Sequence, residues 1–190
     1  MSRVPCLAED DLPADLRPLY RKFAHEYGSF ANQAGTLGHS PVVFRHLYGL
    51  TAAMREDGAL PARLVEIAVV TTSAVNGCKY CVDHHGPVLK DMGLPAETVD
   101  RILEPDIPGL SETERLVRDY ARLVTERAWG IREQVFDALR AHFTDRQIVE
   151  LTVRIGLCGL FNKLNDALQV EFEPGTGGPP PNAPQHQRSR

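Results

Sequence analysis

The sequence has no surplus of positive charge. Its 21 lysines and arginines are outnumbered by 25 aspartates and glutamates, for a formal net charge of −4, which leaves neither an electrostatic footprint for nucleic acid nor a basic stripe for an anionic membrane. Long apolar runs are missing too, and the longest are far too short to span a bilayer. Met1 to Cys6 run straight into the acidic stretch Glu9-Asp10-Asp11 with no apolar signal segment, so the expectation is a soluble, cytoplasmic protein. Four cysteines among 190 residues cannot be the framework of a small secreted scaffold, and each needs its own account. No binding motif for nucleotide, flavin or haem is visible, and strand candidates are few. The 43% of hydrophobic residues is nonetheless enough to build the core of one domain without disulfides or metal.

Nearly every segment reads with a helical period. From Ala14 to Tyr27, Leu16, Leu19, Tyr20, Phe23 and Tyr27 make one apolar face that Gly28 ends, and a polar, glycine-containing stretch follows. Ser40-Pro41 starts a helix toward Asp57-Gly58, with serine as N-cap and proline in the first turn. Pro61 opens the next, to Asn76-Gly77; its β-branched run Val69 to Thr72 also fits a buried strand, but its length favours a helix. Cys78 to Met92 forms another, ended by Gly93, with a kink or break expected at Gly86-Pro87. A short helix spans Ala96 to Leu103. Ser111 to Glu114 and Thr144 to Gln147 have capping-box spacing and open helices to about Ala128 and Val170, with a further helix from Ile131 to Phe143 between them. Trp129-Gly130 reads as a helix end with an aromatic anchor. The fold expected is therefore all-α, about seven to eight helices over residues 1–173, and residues 174–190, rich in proline and glycine, read as a disordered tail.

Cys78-Lys79-Tyr80-Cys81 directly follows Gly77, which puts a C-x-x-C pair in the first turn of a helix. Residues three apart share a face, and the positive end of the helix dipole favours a thiolate there. His85 stands one turn after Cys81, where an imidazole can take a proton from its thiol; the alternative is a solvated surface histidine. Glu66 lies among Leu64, Val65, Ile67, Ala68, Val69 and Val70 with only Arg63 as a basic residue within a turn. A carboxyl held there has a raised pKa and shuttles protons near neutral pH, unless it simply occupies a solvent-facing stripe.

Glu66, Cys78-x-x-Cys81, His85 and the Gly93-Leu94-Pro95 turn together resemble the active-site pattern of the alkylhydroperoxidase D-like branch of the carboxymuconolactone decarboxylase superfamily. Asn32 through Pro41 is similar to that family's segment before the second helix, and Ile148 through Asn165 to its last helix, so the resemblance covers roughly residues 10–172. It implies an alkylhydroperoxidase D-like helical bundle that self-associates as a trimer or hexamer and a cofactor-free thiol peroxidase acting on a peroxide. Cys81 would be the peroxidatic cysteine, Cys78 its resolving partner through a redox disulfide, Glu66 and His85 the proton relay, and an external dithiol, lipoyl- or thioredoxin-type, the reductant. The chain departs from the pattern at Tyr80, where the family carries a relay histidine; a tyrosine hydroxyl is too weak an acid to replace it but can orient a water. His39 borders the active-site region in the family pattern and is held, with Tyr80, as a candidate pocket residue.

Three other readings compete. Zinc has possible ligands in Cys78, Cys81, His84 and His85, but four ligands within eight consecutive helical residues do not converge tetrahedrally, and no second knuckle completes a site. The Asp83-His84-His85 string resembles a metal phosphoesterase motif without the companion aspartates. A lyase acting on a small lactone acid would not need the cysteine pair, whereas a non-enzymatic dithiol sensor would. Cys158, between Leu157 and Gly159, reads as a buried small hydrophobe, Cys6 as exposed, and Leu157, Leu160 and Phe161 as apolar surplus fit for contact between copies.

Overall fold

Helix α4, Ala62–Asn76, is buried on all sides: Leu64 and Glu66 through Ser73 are all shielded from solvent, the mark of a helix at the centre of its domain. The computed structural model describes residues 2–176, and among them nine α-helices and no strand occur. The others are α1 Arg17–Arg21, α2 Ala31–Leu37, α3 Pro41–Glu56, α5 Lys79–Asp91, α6 Ala96–Asp100, α7 Glu112–Arg127, α8 Glu133–Arg140 and α9 Asp145–Leu168. Helix α4 packs against α5, α7 and α9, and its Leu64, Ile67, Ala68 and Val70 join Leu89, Val117, Tyr120, Leu151 and Ile155 in the main core. A second core gathers Leu12, Leu16, Tyr20, Phe23, Ala34, Phe44 and Tyr48 from the N-terminal segments and α3. No helix of the described residues is long and apolar enough to cross a membrane.

Both capping boxes form. Ser111 Oγ accepts from Glu114 N–H at 3.3 Å while the Glu114 carboxylate accepts from Ser111 N–H at 2.7 Å, and Thr144 and Gln147 repeat the exchange at the start of α9 at 3.3 and 2.9 Å. Because Thr144 is exposed and its hydroxyl serves chiefly the cap, Thr144→Ala is expected to lower stability by about 1 kcal/mol, read as a shift in a urea-unfolding midpoint at unchanged slope.

Several boundaries differ from expectation. The helix read from Ala14 begins at Arg17, and its last turn, Lys22–Glu26, is a π-turn in which Tyr27 N–H reaches back to Lys22 O at 2.8 Å; the wider turn accompanies Phe23 and Tyr27 on the wall of one cavity. The stretch after Gly28 holds α2, which hydrophobic periodicity misses because the helix buries Gln33 and Thr36 alongside Ala34 and Leu37. Helix α5 runs unbroken through Gly86-Pro87; its packing on α4 and α6 outweighs the one backbone bond that Pro87 removes. Helix α6 is shorter than read and gives way to turn after Asp100. Trp129 anchors nothing, being 93% exposed. Of the three apolar α9 residues, only Leu160 is exposed, while Leu157 and Phe161 face the cavity. Residues 177–190, most of the expected disordered tail, lie outside the described residues.

Candidate active site

The end of α4 and the start of α5 share one tight junction. Gly77 takes a left-handed conformation, φ 70° and ψ 21°, and its N–H bonds Ala74 O at 3.1 Å while Cys78 N–H bonds Ser73 O at 2.9 Å, the paired bonds of a Schellman stop. Cys78 is thus both the last residue of this motif and the N-cap of α5, and Cys81 sits in the first turn. Both thiols are free and buried. The hydrogen bond with the Cys81 sulfur, followed by burial and the Cys81 charge, pushes the Cys78 thiol far above its ordinary value. The bond to Cys81 and burial both disfavour a charge on Cys78.

The α4–α5 turn folds the two helices against each other and brings Glu66 to His85, with Oε2 and Nδ1 2.7 Å apart. Glu66, His85 and Cys81 line one cavity of about 270 Å³. The raised carboxyl pKa expected for Glu66 is not found. Burial acts to raise it, but the charge and hydrogen bond of His85, aided by Arg55 and Arg154, outweigh burial and hold it below the ordinary carboxylate value. Those two arginines come from α3 and α9, remote in sequence, so a reading confined to one helical turn could not count them. An ionised carboxylate only accepts, so His85 Nδ1 donates to it, and Nε2 is the ring nitrogen left to exchange a proton.

A line of buried donors ends on the Cys81 sulfur. Tyr48 Oη donates to Gln33 Oε1 at 2.9 Å, Gln33 Nε2 to Asn165 Oδ1 at 3.0 Å, and Asn165 Nδ2 to Cys81 Sγ at 3.3 Å. Bonds aligned in one direction polarise one another and favour negative charge at the accepting end. Asn165 falls in the segment that carries the family resemblance, but nothing in its local sequence assigns it a partner on α5. Cys158 lines the same cavity, and burial pushes its thiol up to about 12, which makes it a poor nucleophile beside Cys81.

The remaining candidates lie elsewhere. His39 is at the surface, its Nε2 2.8 Å from Pro5 O, and it is no part of the cavity wall. Tyr80 is not in the wall either; its hydroxyl donates to Glu173 Oε1 at 2.7 Å, so it is committed to that carboxylate and does not orient a water in the cavity. His84 faces away from His85, with Nδ1 2.7 Å from Tyr80 O and Nε2 2.7 Å from Glu173 Oε2, and the Phe30 ring stands beside both imidazoles at 5.0 and 5.3 Å. Among the described residues no group of three His, Cys, Asp or Glu side chains is arranged to hold a metal ion. Glu173, at the far edge of the expected domain, was not foreseen as a site residue. It also accepts Asn32 N–H at 2.8 Å; burial raises its carboxyl, but the bonds from His84, Tyr80 and Asn32 overcome burial and hold it below the ordinary value. The segment it anchors covers the dithiol, with Val170 buried against Cys78 and Cys81 and with Leu168 and Phe172 beside them.

Comparison with known proteins bears on this geometry. Residues 41–122 match the model of the carboxymuconolactone decarboxylase family. A crystal structure from Ralstonia eutropha JMP134, described as an alkylhydroperoxidase AhpD core and an uncharacterized peroxidase-related protein, is 32% identical over 91% of this chain and 93% of its own, with a TM-score of 0.76. A protein of unknown function from Agrobacterium tumefaciens, suggested to be the antioxidant defence protein AhpD, is 28% identical over 71% of this chain and 93% of its own, with a TM-score of 0.65. The debrominase Bmp8, bound to 2,3,4-tribromopyrrole, shares the fold at 22% identity over 90% of this chain and 91% of its own, with a TM-score of 0.77. No curated protein matches the chain in sequence.

Proposed function

Because the chain belongs to the carboxymuconolactone decarboxylase family, in its alkylhydroperoxidase D-like branch, we propose that it is a cofactor-free thiol peroxidase that reduces an alkyl hydroperoxide or hydrogen peroxide. The observation that carries this reading is Cys81 opening onto the cavity shared by the Glu66–His85 pair, with the Cys78 thiol hydrogen-bonded to it. His85 Nε2 takes the Cys81 proton, and the Asn165 amide stabilises the resulting thiolate. The thiolate attacks one peroxide oxygen; an S–O bond forms, the O–O bond breaks, and the departing alkoxide takes the proton back from His85 to leave as an alcohol. Cys78 then attacks the sulfenic acid, water departs and the disulfide forms. An external dithiol supplies two electrons and two protons to restore both thiols. A lyase would have no use for the second thiol. Exposed Val149, Val153 and Leu160 on α9 support self-association of the kind the resemblance implies.

The test is stoichiometric. With excess dithiothreitol the purified protein is expected to consume hydrogen peroxide or cumene hydroperoxide catalytically. Without reductant it is expected to consume one equivalent, and mass spectrometry is expected to find a Cys78–Cys81 disulfide. Ready disulfide formation without turnover under any dithiol would leave the sensor reading in its place, and no reaction with peroxide would end the peroxidase reading.

A further inference from the structure

The cavity contains more than peroxide chemistry needs. Its volume of about 270 Å³ is that of roughly nine waters at ~30 Å³ each, and much of its wall is apolar, including Phe23, Phe30, Leu157 and Phe161. Two guanidinium groups open onto it from different helices, Arg55 of α3 and Arg154 of α9. Arg55 lies over the Tyr27 ring at 4.6 Å. Neither makes a hydrogen bond or a close ion pair among the described residues, in contrast to Arg63, which binds Glu114 and Met92 O, and Arg146, which binds Glu150. The carboxylate in the wall, Glu66, is already held by His85. Burial pulls the Arg154 guanidinium below its ordinary value, with Glu66 opposing.

Arg55 is exposed and Arg154 half-buried, so water reaches both, yet two guanidinium groups without a protein acceptor beside an apolar wall form a ready site for an anion that enters the cavity. Hydrogen peroxide is no such ligand, because it has no charge and leaves most of the space unused. A neutral alkyl hydroperoxide fills the space but leaves the guanidinium unpaired. A small organic anion satisfies both features, and a carboxylate is the planar group that an arginine fork binds with two parallel bonds. We propose that the cavity takes an organic hydroperoxide bearing a carboxylate, its acid group held by Arg154 and Arg55, its apolar body along the aromatic wall and its peroxide at Cys81. The inference rests on the peroxidase reading for the reacting group and on the arginine pair for the acid.

Binding and turnover test the two parts separately. In calorimetry on Cys81→Ser, octanoate is expected to bind ~10-fold or more tightly than methyl octanoate, the effect of at least one charge-assisted hydrogen bond, and Arg154→Gln in that background is expected to erase the difference. In turnover, a hydroperoxide of a medium-chain acid should show a higher kcat/KM than that of its methyl ester, with Arg154→Gln collapsing the ratio through KM. If the parent consumes hydrogen peroxide and the ester as efficiently as the acid, and octanoate does not bind, the anion site falls and the peroxidase reading stands. If octanoate binds but no peroxide of any kind is consumed, the hydroperoxide proposal falls with the reading it rests on. An unchanged acid-to-ester ratio in Arg154→Gln, alongside an altered mass by light scattering, would assign the arginines to a contact between copies and overturn the proposal.

Discussion

Cys81→Ser is expected to consume no peroxide, while Cys78→Ser is expected to complete a single stoichiometric turnover and stop with a sulfenic acid at Cys81. The asymmetry follows from the environments of the two sulfurs. Cys81 receives the Asn165 amide and opens onto the cavity, whereas Cys78 is fully buried, off the cavity wall, with its thiol driven up by its bond to Cys81. A serine hydroxyl at position 81 stays protonated near neutral pH and forms no stable oxidised product. Cys158 cannot deputise, because burial holds it as a thiol up to about 12. Peroxide depletion, with dimedone trapping and mass spectrometry, decides the matter; a dimedone adduct at position 78 in Cys81→Ser would reverse the assignment of the two cysteines.

Glu66→Gln and His85→Ala are each expected to slow peroxide reduction by ~10²-fold, the usual worth of a positioned acid or base. The two should differ in kind. A glutamine at 66 can still accept from His85 Nδ1 but lacks the charge that favours the imidazolium formed when Nε2 takes a proton, so its loss should fall on the rate. An alanine at 85 removes the proton acceptor itself and strands Glu66 in a buried place. Stability should follow pH with a defined sign. Because the folded Glu66 carboxyl is held below its ordinary value, its contribution is whole above the ordinary carboxylate range and is lost as the pH falls through the lower folded value. Melting temperatures of the parent and Glu66→Gln should therefore converge in acid and separate toward neutrality. Equal rates for Glu66→Gln and the parent would remove the carboxylate from the relay.

Local signals were legible in the sequence. Both capping boxes, the Gly77 stop and the placing of Cys81 in a helix's first turn depend on residues within a few positions of one another, and so does the all-helical class. The meeting of Glu66 with His85 spans one helical hairpin and was reached through the family pattern. The rest was hidden by distance and by chemistry. Asn165 meets Cys81 across 84 residues, and Gln33 meets Asn165 across 132; in a single sequence such amides look like surface residues, and only the fold shows them buried and paired. Arg55 and Arg154 were invisible for the same reason; the expected sign of the Glu66 shift is reversed chiefly by the charge and hydrogen bond of His85, with these two arginines adding to them. His39 failed differently: nearness in sequence to a helix that lines the cavity does not make a residue part of its wall.

The segment from Val170 to Glu173 bears on which reductants the protein can use. In the proposed peroxidase chemistry a peroxide would meet Cys81 from the cavity, but any thiol that reopens the disulfide would have to approach along the axis of the S–S bond, and both sulfurs are shielded, Cys78 wholly and Cys81 to within 3% exposure. Val170 and Phe172, which are no part of the cavity wall, pack over the two cysteines and are pinned through Glu173 to His84, Tyr80 and the Asn32 backbone as a roof. Under the peroxidase reading, a dithiol carried on a thin, flexible tether can follow the substrate's route, whereas one set in the surface of a folded partner reaches the sulfurs only when that roof lifts. Choice of electron donor is then a matter of slenderness more than of reduction potential, and the cost of serving a bulky donor is the local unfolding of a few C-terminal residues.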